Sequence, residues 1–214
     1  MCILYLAGIA AEMGDLIKAH EGYEQALKLA ESLGYRWCEG VAKLELGQVI
    51  QLQGDYLQAA HLMQQALAAF RDMGDRWQET RTLASLIHLH CNTNNAELCT
   101  PYILAAKEVA RYIDSPEIQS FYKLALTRYY QLKNQFDQAL EQCQQALSIE
   151  RVSSRKNLVR TLLILGDLFS DLDRVEDAEN AFREARILNT LETLEDPTFT
   201  AQQRAPFNHI TLFH

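Results

Sequence analysis

His88, His90 and Cys91 form the densest group of metal-ligating side chains in the chain. On a helix, His88 and Cys91 are three residues apart and share a face, while His90 points elsewhere. Two ligands do not hold zinc, which takes four protein ligands in structural sites and three in catalytic ones. No metal and no other cofactor is therefore expected. With Arg128, His88 and Cys91 are also the residues best placed to build a catalytic site. The spacings that would support one are missing: there is no Gly-x-Ser-x-Gly, no His-Glu-x-x-His and no phosphate-cradling Gly-x-x-x-x-Gly-Lys. Glu12, Asp15, Glu39 and Asp55 read as helix caps or solvated faces. The expectation is a protein that is not an enzyme.

Charge narrows the partners. The net charge of −8 comes from 20 Lys+Arg against 28 Asp+Glu, and basic residues cluster only at Arg151, Arg155 and Lys156. Nucleic acid and anionic membrane call for a basic face, so neither is an expected ligand. The five cysteines (Cys2, Cys38, Cys91, Cys99, Cys143) are odd in number and irregularly spaced, which reads as free thiols in a reducing compartment. The apolar start, Met1 to Ala11, lacks a basic flank and ends at Glu12, too short to span a bilayer. A cytoplasmic location is expected.

The elements that must position these residues come from a repeat. Gly14-Asp15-Leu16…Ala19 returns as Gly54-Asp55-Tyr56…Ala59 and degrades to Asn94-Asn95…Cys99, Asn134-Gln135-Phe136…Ala139 and Asp173-Arg174-Val175…Ala178. The starts at 14, 54, 94, 134 and 173 are 40, 40, 40 and 39 residues apart. Such periodicity marks stacked units that cannot bury their apolar faces alone. The repeats fall at about 1–35, 36–75, 76–115, 116–154 and 155–195, followed by a non-repeating tail, 196–214. Phe199, Phe207, Ile210, Leu212 and Phe213 make that tail too apolar for a solvated end, so it reads either as a cap or as the start of a further region.

Each repeat reads as a helix pair. In the second, Val41, Leu44, Val49, Ile50 and Leu52 recur at helical spacing, Gly54 supplies a left-handed stop, and Asp55 an N-cap. Ala59, Met63, Ala66, Leu67 and Phe70 then mark an antiparallel second helix. Small residues line the seam between the two: Ala19, Ala59, Cys99, Ala139 and Ala178 face Ala7, Gly47, Ile87, Thr127 and Gly166. A further column, Ala26, Ala66, Ala106, Ala146 and Ala185, is alanine throughout. In the third repeat Thr100-Pro101 predicts a second helix that starts late, on Thr100, or kinks. Trp37 and Trp77 recur at one column and read as packing at the junctions between repeats.

Leu46-Gly47 and Leu165-Gly166, Gly54-Asp55-Tyr56, and Tyr23…Ala26 with Phe182…Ala185 together resemble the tetratricopeptide repeat over about residues 2–190. The resemblance implies an all-α fold, a right-handed α-solenoid of five antiparallel helix pairs. Each unit is about six residues longer than that family's usual one. The added length falls at the junctions Gly34-Tyr35-Arg36-Trp37 and Gly74-Asp75-Arg76-Trp77, which look like those of arrays in bacterial signal-transduction ATPases and transcription activators.

In such a solenoid the first helix of each pair lines a concave groove. The groove columns hold Gln48, His88, Arg128 and Asp167; one turn on, Gln51, Cys91 and Gln131; one turn back, Leu44, Ala84 and Leu124; with Arg81 and Arg160 nearer the helix starts. The Lys and Asn of the family's carboxylate clamp are absent. An apolar or amphipathic peptide with an acidic group near Arg128 fits better. The leading expectation is a non-enzymatic scaffold for protein–protein interaction, binding a peptide or partner domain in that groove. The alternatives are a sensor or regulatory segment of a larger bacterial signalling or transcription-regulating protein and, third, an enzyme built on the groove. Homo-oligomers through the N-terminal helix (Ile3, Leu4, Leu6, Ile9) or the tail are also expected.

Overall fold

The computed structural model describes residues 2–153 and 155–195, so the tail 196–214 lies outside the described residues. Ten helices occupy them: α1 Cys2–Glu12, α2 Leu16–Leu33, α3 Arg36–Leu52, α4 Tyr56–Met73, α5 Arg76–Asn92, α6 Ala96–Tyr112, α7 Pro116–Leu132, α8 Phe136–Ser153, α9 Arg155–Asp171 and α10 Val175–Glu195. No strand occurs among the described residues, and each odd-numbered helix packs antiparallel on the next. The first four pairs form one compact unit, Met1–Ser153; α9 and α10 belong to a second, Ser154–His214.

Every turn inside a pair uses one residue in the left-handed region. Gly14 (φ 78°) and Gly54 (φ 94°) adopt it without a Cβ penalty, and Asn94, Asn134 and Asp173 take φ of 55–56° in the degenerate copies. Asn and Asp are the non-glycine residues that tolerate this conformation best, so the fold survives loss of its most visible motif. The following residue caps the next helix: Asp15, Asp55 and Asn95 each accept from the backbone N–H three residues on. Replacing such a cap with Ala costs about 1 kcal/mol.

The third pair departs from its sequence reading. α6 begins at Ala96 on the Asn95 cap, not on Thr100, and runs through Pro101 to Tyr112. The Asn95 side chain accepts from the Leu98 N–H and caps the helix five residues before Thr100 could. The far end of α6 also differs. Where α2 and α4 stop on left-handed Gly34 and Gly74, α6 ends on extended Ile113 (φ −122°, ψ 112°). The Gln119 side chain of α7 donates to the Ala110 carbonyl at 2.5 Å, supplying a partner that a glycine cap would otherwise provide.

The seams are as tight as the small columns imply. Ala19, Ala59, Cys99 and Ala139 are wholly buried. A Cβ on Gly47 would lie 3.0 Å from Met63 Cγ and 3.2 Å from the Ala59 carbonyl. One on Gly22 would lie 2.8 Å from the Ala7 Cβ. In the second unit Ala178 and Ala185 are buried likewise, and a Cβ on Gly166 would overlap the Phe182 ring. In the first unit the first helices of neighbouring pairs also lie side by side, α3 against α5 and α5 against α7.

Candidate functional site

Three polar rungs join α3 to α5, one per helical turn. Arg81 forms an ion pair with Glu45, Gln48 Nε2 donates to Ser85 Oγ at 2.9 Å, and Gln51 Nε2 lies 3.2 Å from His88 Nδ1. Each rung links residues 36 or 37 apart, one repeat less about a turn. The Arg81 and Glu45 side chains are 25% and 19% exposed, sheltered enough for the pair to hold both in place. Arg81 also lies 5.8 Å from the centre of the Trp77 ring.

Shifted by one repeat, the same three positions on α5 and α7 pair Ser85 with Phe121, His88 with Ala125, and Cys91 with Arg128. This junction is mainly apolar. Phe121 meets Trp77 edge-on at 5.8 Å between ring centres, and Ala125 packs with buried Ile87 and Cys99, flanked by Ala84, Cys91, Tyr129 and Leu132. Arg128 stands over it. Its Nη1 donates to Gln131 Oε1 at 3.3 Å within α7, and its Nε is buried without a hydrogen-bond partner. A guanidinium has five N–H donors, and one long bond leaves Arg128 with donors to offer.

The chemistry beside it is a pair of thiols. Cys91 Sγ, half-buried on α5, lies 3.7 Å from Cys99 Sγ, buried on α6. The hydrogen bond between them lowers Cys99 from the usual thiol range and raises Cys91; burial raises Cys91 further, and the Arg128 charge opposes that rise. Cys143, on α8, is pushed up to about 12 by burial. His90 turns into the α5–α6 hairpin, stacked on Tyr102 at 5.5 Å, and burial lowers its pKa. No three His, Cys, Asp or Glu side chains converge among the described residues.

The expected groove residues fall into three classes. Leu44 and Leu124 are buried, so they support the face from beneath and do not line it. Gln48, Arg81, Ala84, His88, Arg128 and Gln131 are half-buried on α3, α5 and α7, with Gln51 more deeply buried. Arg160 and Asp167 lie on α9 of the second unit, exposed and half-buried respectively. Glu45 and Ser85, which the sequence reading leaves out, complete the rungs. Their signal was available: Glu45 precedes Gln48 by three residues, and Ser85 follows Arg81 by four.

A second concavity of about 360 Å³ lies between the start of α5 and the end of α6, lined by Arg76, Glu79, Ala105, Glu108, Val109 and Tyr112, with Ile113 at the edge. Its buried carboxylate, Glu79, is already paired with Arg71 at 2.9 Å and Arg76 at 2.7 Å. That leaves its charge internally matched. No described helix is long and apolar enough to cross a membrane.

No family model and no curated protein matches the sequence. Solved structures match its fold. RapI superposes with a TM-score of 0.75 at 16% identity, over 89% of this chain and 69% of that one. A signal transduction ATPase with numerous domains and a tetratricopeptide repeat sensor, from Pyrococcus horikoshii, gives 0.66 at 18%, over 91% of this chain and 29% of that one. BtubC of P. vanneervenii gives 0.61 at 20%, over 92% and 82%. The fold is thus that of the tetratricopeptide-like helical repeats.

Proposed function

We propose that this chain is a protein-interaction module with no catalytic activity of its own, holding a peptide or partner segment along the face shared by α3, α5 and α7. Arg128 carries the reading: a half-buried guanidinium beside an apolar junction, whose Nη1 makes a long 3.3 Å bond to Gln131 within its own helix. A carboxylate matches a guanidinium fork better than any other protein group and gains strength in a sheltered setting. Ala84, Tyr129 and Leu132 beside it favour a ligand whose acidic residue is flanked by apolar ones. The net charge of −8 argues against nucleic acid and anionic lipid as partners.

The test is a random peptide library panned in parallel on the wild type and on Arg128→Glu. Wild-type pools are expected to converge on Asp or Glu beside an apolar residue, and the variant's pools to lose that acid. Indistinguishable pools would remove the basis of the proposal.

A second reading, a cytoplasmic sensor or regulatory segment of a larger signalling protein, is supported by the likeness to a repeat sensor inside an ATPase of which this chain spans under a third. It predicts a reading frame that continues into an effector domain. Self-association through α1 is a further proposal, supported by its exposed Tyr5, Leu6 and Ile9. A light-scattering mass that stays monomeric at every concentration would contradict it.

A further inference from the structure

We infer that Cys91 and Cys99 form an intramolecular disulfide on exposure to hydrogen peroxide, tying α5 to α6 within the third helix pair. Their sulfurs lie 3.7 Å apart across the turn that joins the two helices. Forming a bond of about 2.05 Å closes roughly 1.6 Å, within reach of small side-chain rotations. Only this repeat carries cysteine at both positions. The Cys99 column is otherwise Ala19, Ala59, Ala139 and Ala178, and the Cys91 column Ala11, Gln51, Gln131 and Ser170.

The two thiols divide the reaction between them. Cys91 is half-buried and open to a small oxidant, whereas Cys99 is wholly buried behind it. The hydrogen bond with Cys99 and burial raise Cys91, the Arg128 charge opposing, while the same bond lowers Cys99. The pair's first proton therefore leaves from Cys99, and transfer of the Cys91 proton to Cys99 puts the anion on the accessible sulfur. Cys91 Sγ attacks one peroxide oxygen; the S–O bond forms, the O–O bond breaks, and the departing hydroxide takes a proton to become water. Cys99 then gives up its proton and attacks Cys91 Sγ. The S–S bond forms, the S–O bond breaks, and the second hydroxide leaves as water. Two thiols are oxidised and one peroxide is reduced to two waters.

The bridge would fasten α5, which carries Arg81 and His88, to its hairpin partner, and would remove the free thiol next to Arg128. It stands independently of the partner reading, because it rests on the two sulfurs and their surroundings and not on what the face binds.

Both cysteines lie in one tryptic peptide, Thr82–Lys107, so the test is direct. After peroxide treatment of the folded chain, this peptide is expected to be two hydrogens lighter, and dithiothreitol should reverse the change. Two of the chain's five thiols should be lost to a thiol reagent added under denaturing conditions. Cys99→Ala installs the residue that the other repeats carry in that column, so it should fold. Its peptide is expected to gain oxygen and never to lose two hydrogens. Cys91→Ser should leave Cys99 reduced. The inference is overturned if Cys91 acquires two or three oxygens while Cys99 stays free, or if exposed Cys2 oxidises fully while both thiols of the peptide survive.

Discussion

α5 meets a neighbouring first helix on either side, and the two junctions use the same columns to opposite ends. Toward α3, Glu45, Gln48 and Gln51 meet Arg81, Ser85 and His88, so the polar groups of the two helices match one another. Toward α7, Phe121 and Ala125 stand where Arg81 and Ser85 stood one repeat earlier, and Arg128 where His88 stood. Repeat geometry places the columns. Side-chain identity decides whether a junction closes on itself or keeps a charged group for something else.

The largest expected effect is on the apolar junction. Phe121→Ala removes the ring that meets Trp77 edge-on; a half-buried aromatic of this kind is expected to contribute about 2 kcal/mol, read by urea denaturation. A loss within experimental error would mean that α5 and α7 are held elsewhere. The laddered junction should respond less. A double-mutant cycle on Glu45→Ala and Arg81→Ala is expected to give a coupling of about 1 kcal/mol that weakens with salt. A coupling of zero would reduce the ladder to a surface coincidence.

The smallest effect concerns the opposite side of α5. Burial lowers the His90 pKa in the folded chain, so the folded state prefers the neutral ring, while the unfolded chain protonates near pH 6.5. The contribution of His90 is therefore complete above that pH and lost as pH falls toward the folded pKa. His90→Phe keeps an aromatic ring against Tyr102, and its stability should fall less than that of the wild type between about pH 7 and 5. Parallel curves would show that His90 is not the titrating group.

The difference between the junctions also marks what the sequence discloses. Gly54-Asp55 and the alanine columns announce the helix pairs because a left-handed turn and a close seam admit few residues. Asn94, Asn134 and Asp173 continue that turn because they accept its backbone. Thr100-Pro101 misleads because two caps compete, and Asn95, nearer the turn, takes the helix start. The site was legible one helix at a time. Periodicity puts Gln48, His88 and Arg128 in one column, and all three are half-buried, on α3, α5 and α7 respectively. Pairing runs across helices at an offset of 36 or 37, which no pattern within one helix displays. Leu44 was read as groove and lies in the core for the same reason: a helical column gives a direction only to within about a turn's width.

The central claim is that the α3–α5 side of the face is matched internally while the α5–α7 side is available. Its most direct test takes one acidic peptide selected on the wild type and measures its Kd by calorimetry for Arg128→Ala and Arg81→Ala. Arg128→Ala is expected to weaken binding at least tenfold, about 1.4 kcal/mol. Arg81→Ala, whose guanidinium is already paired with Glu45, should change it less than about threefold. Equal losses for the two arginines, or a larger one for Arg81, would contradict the account.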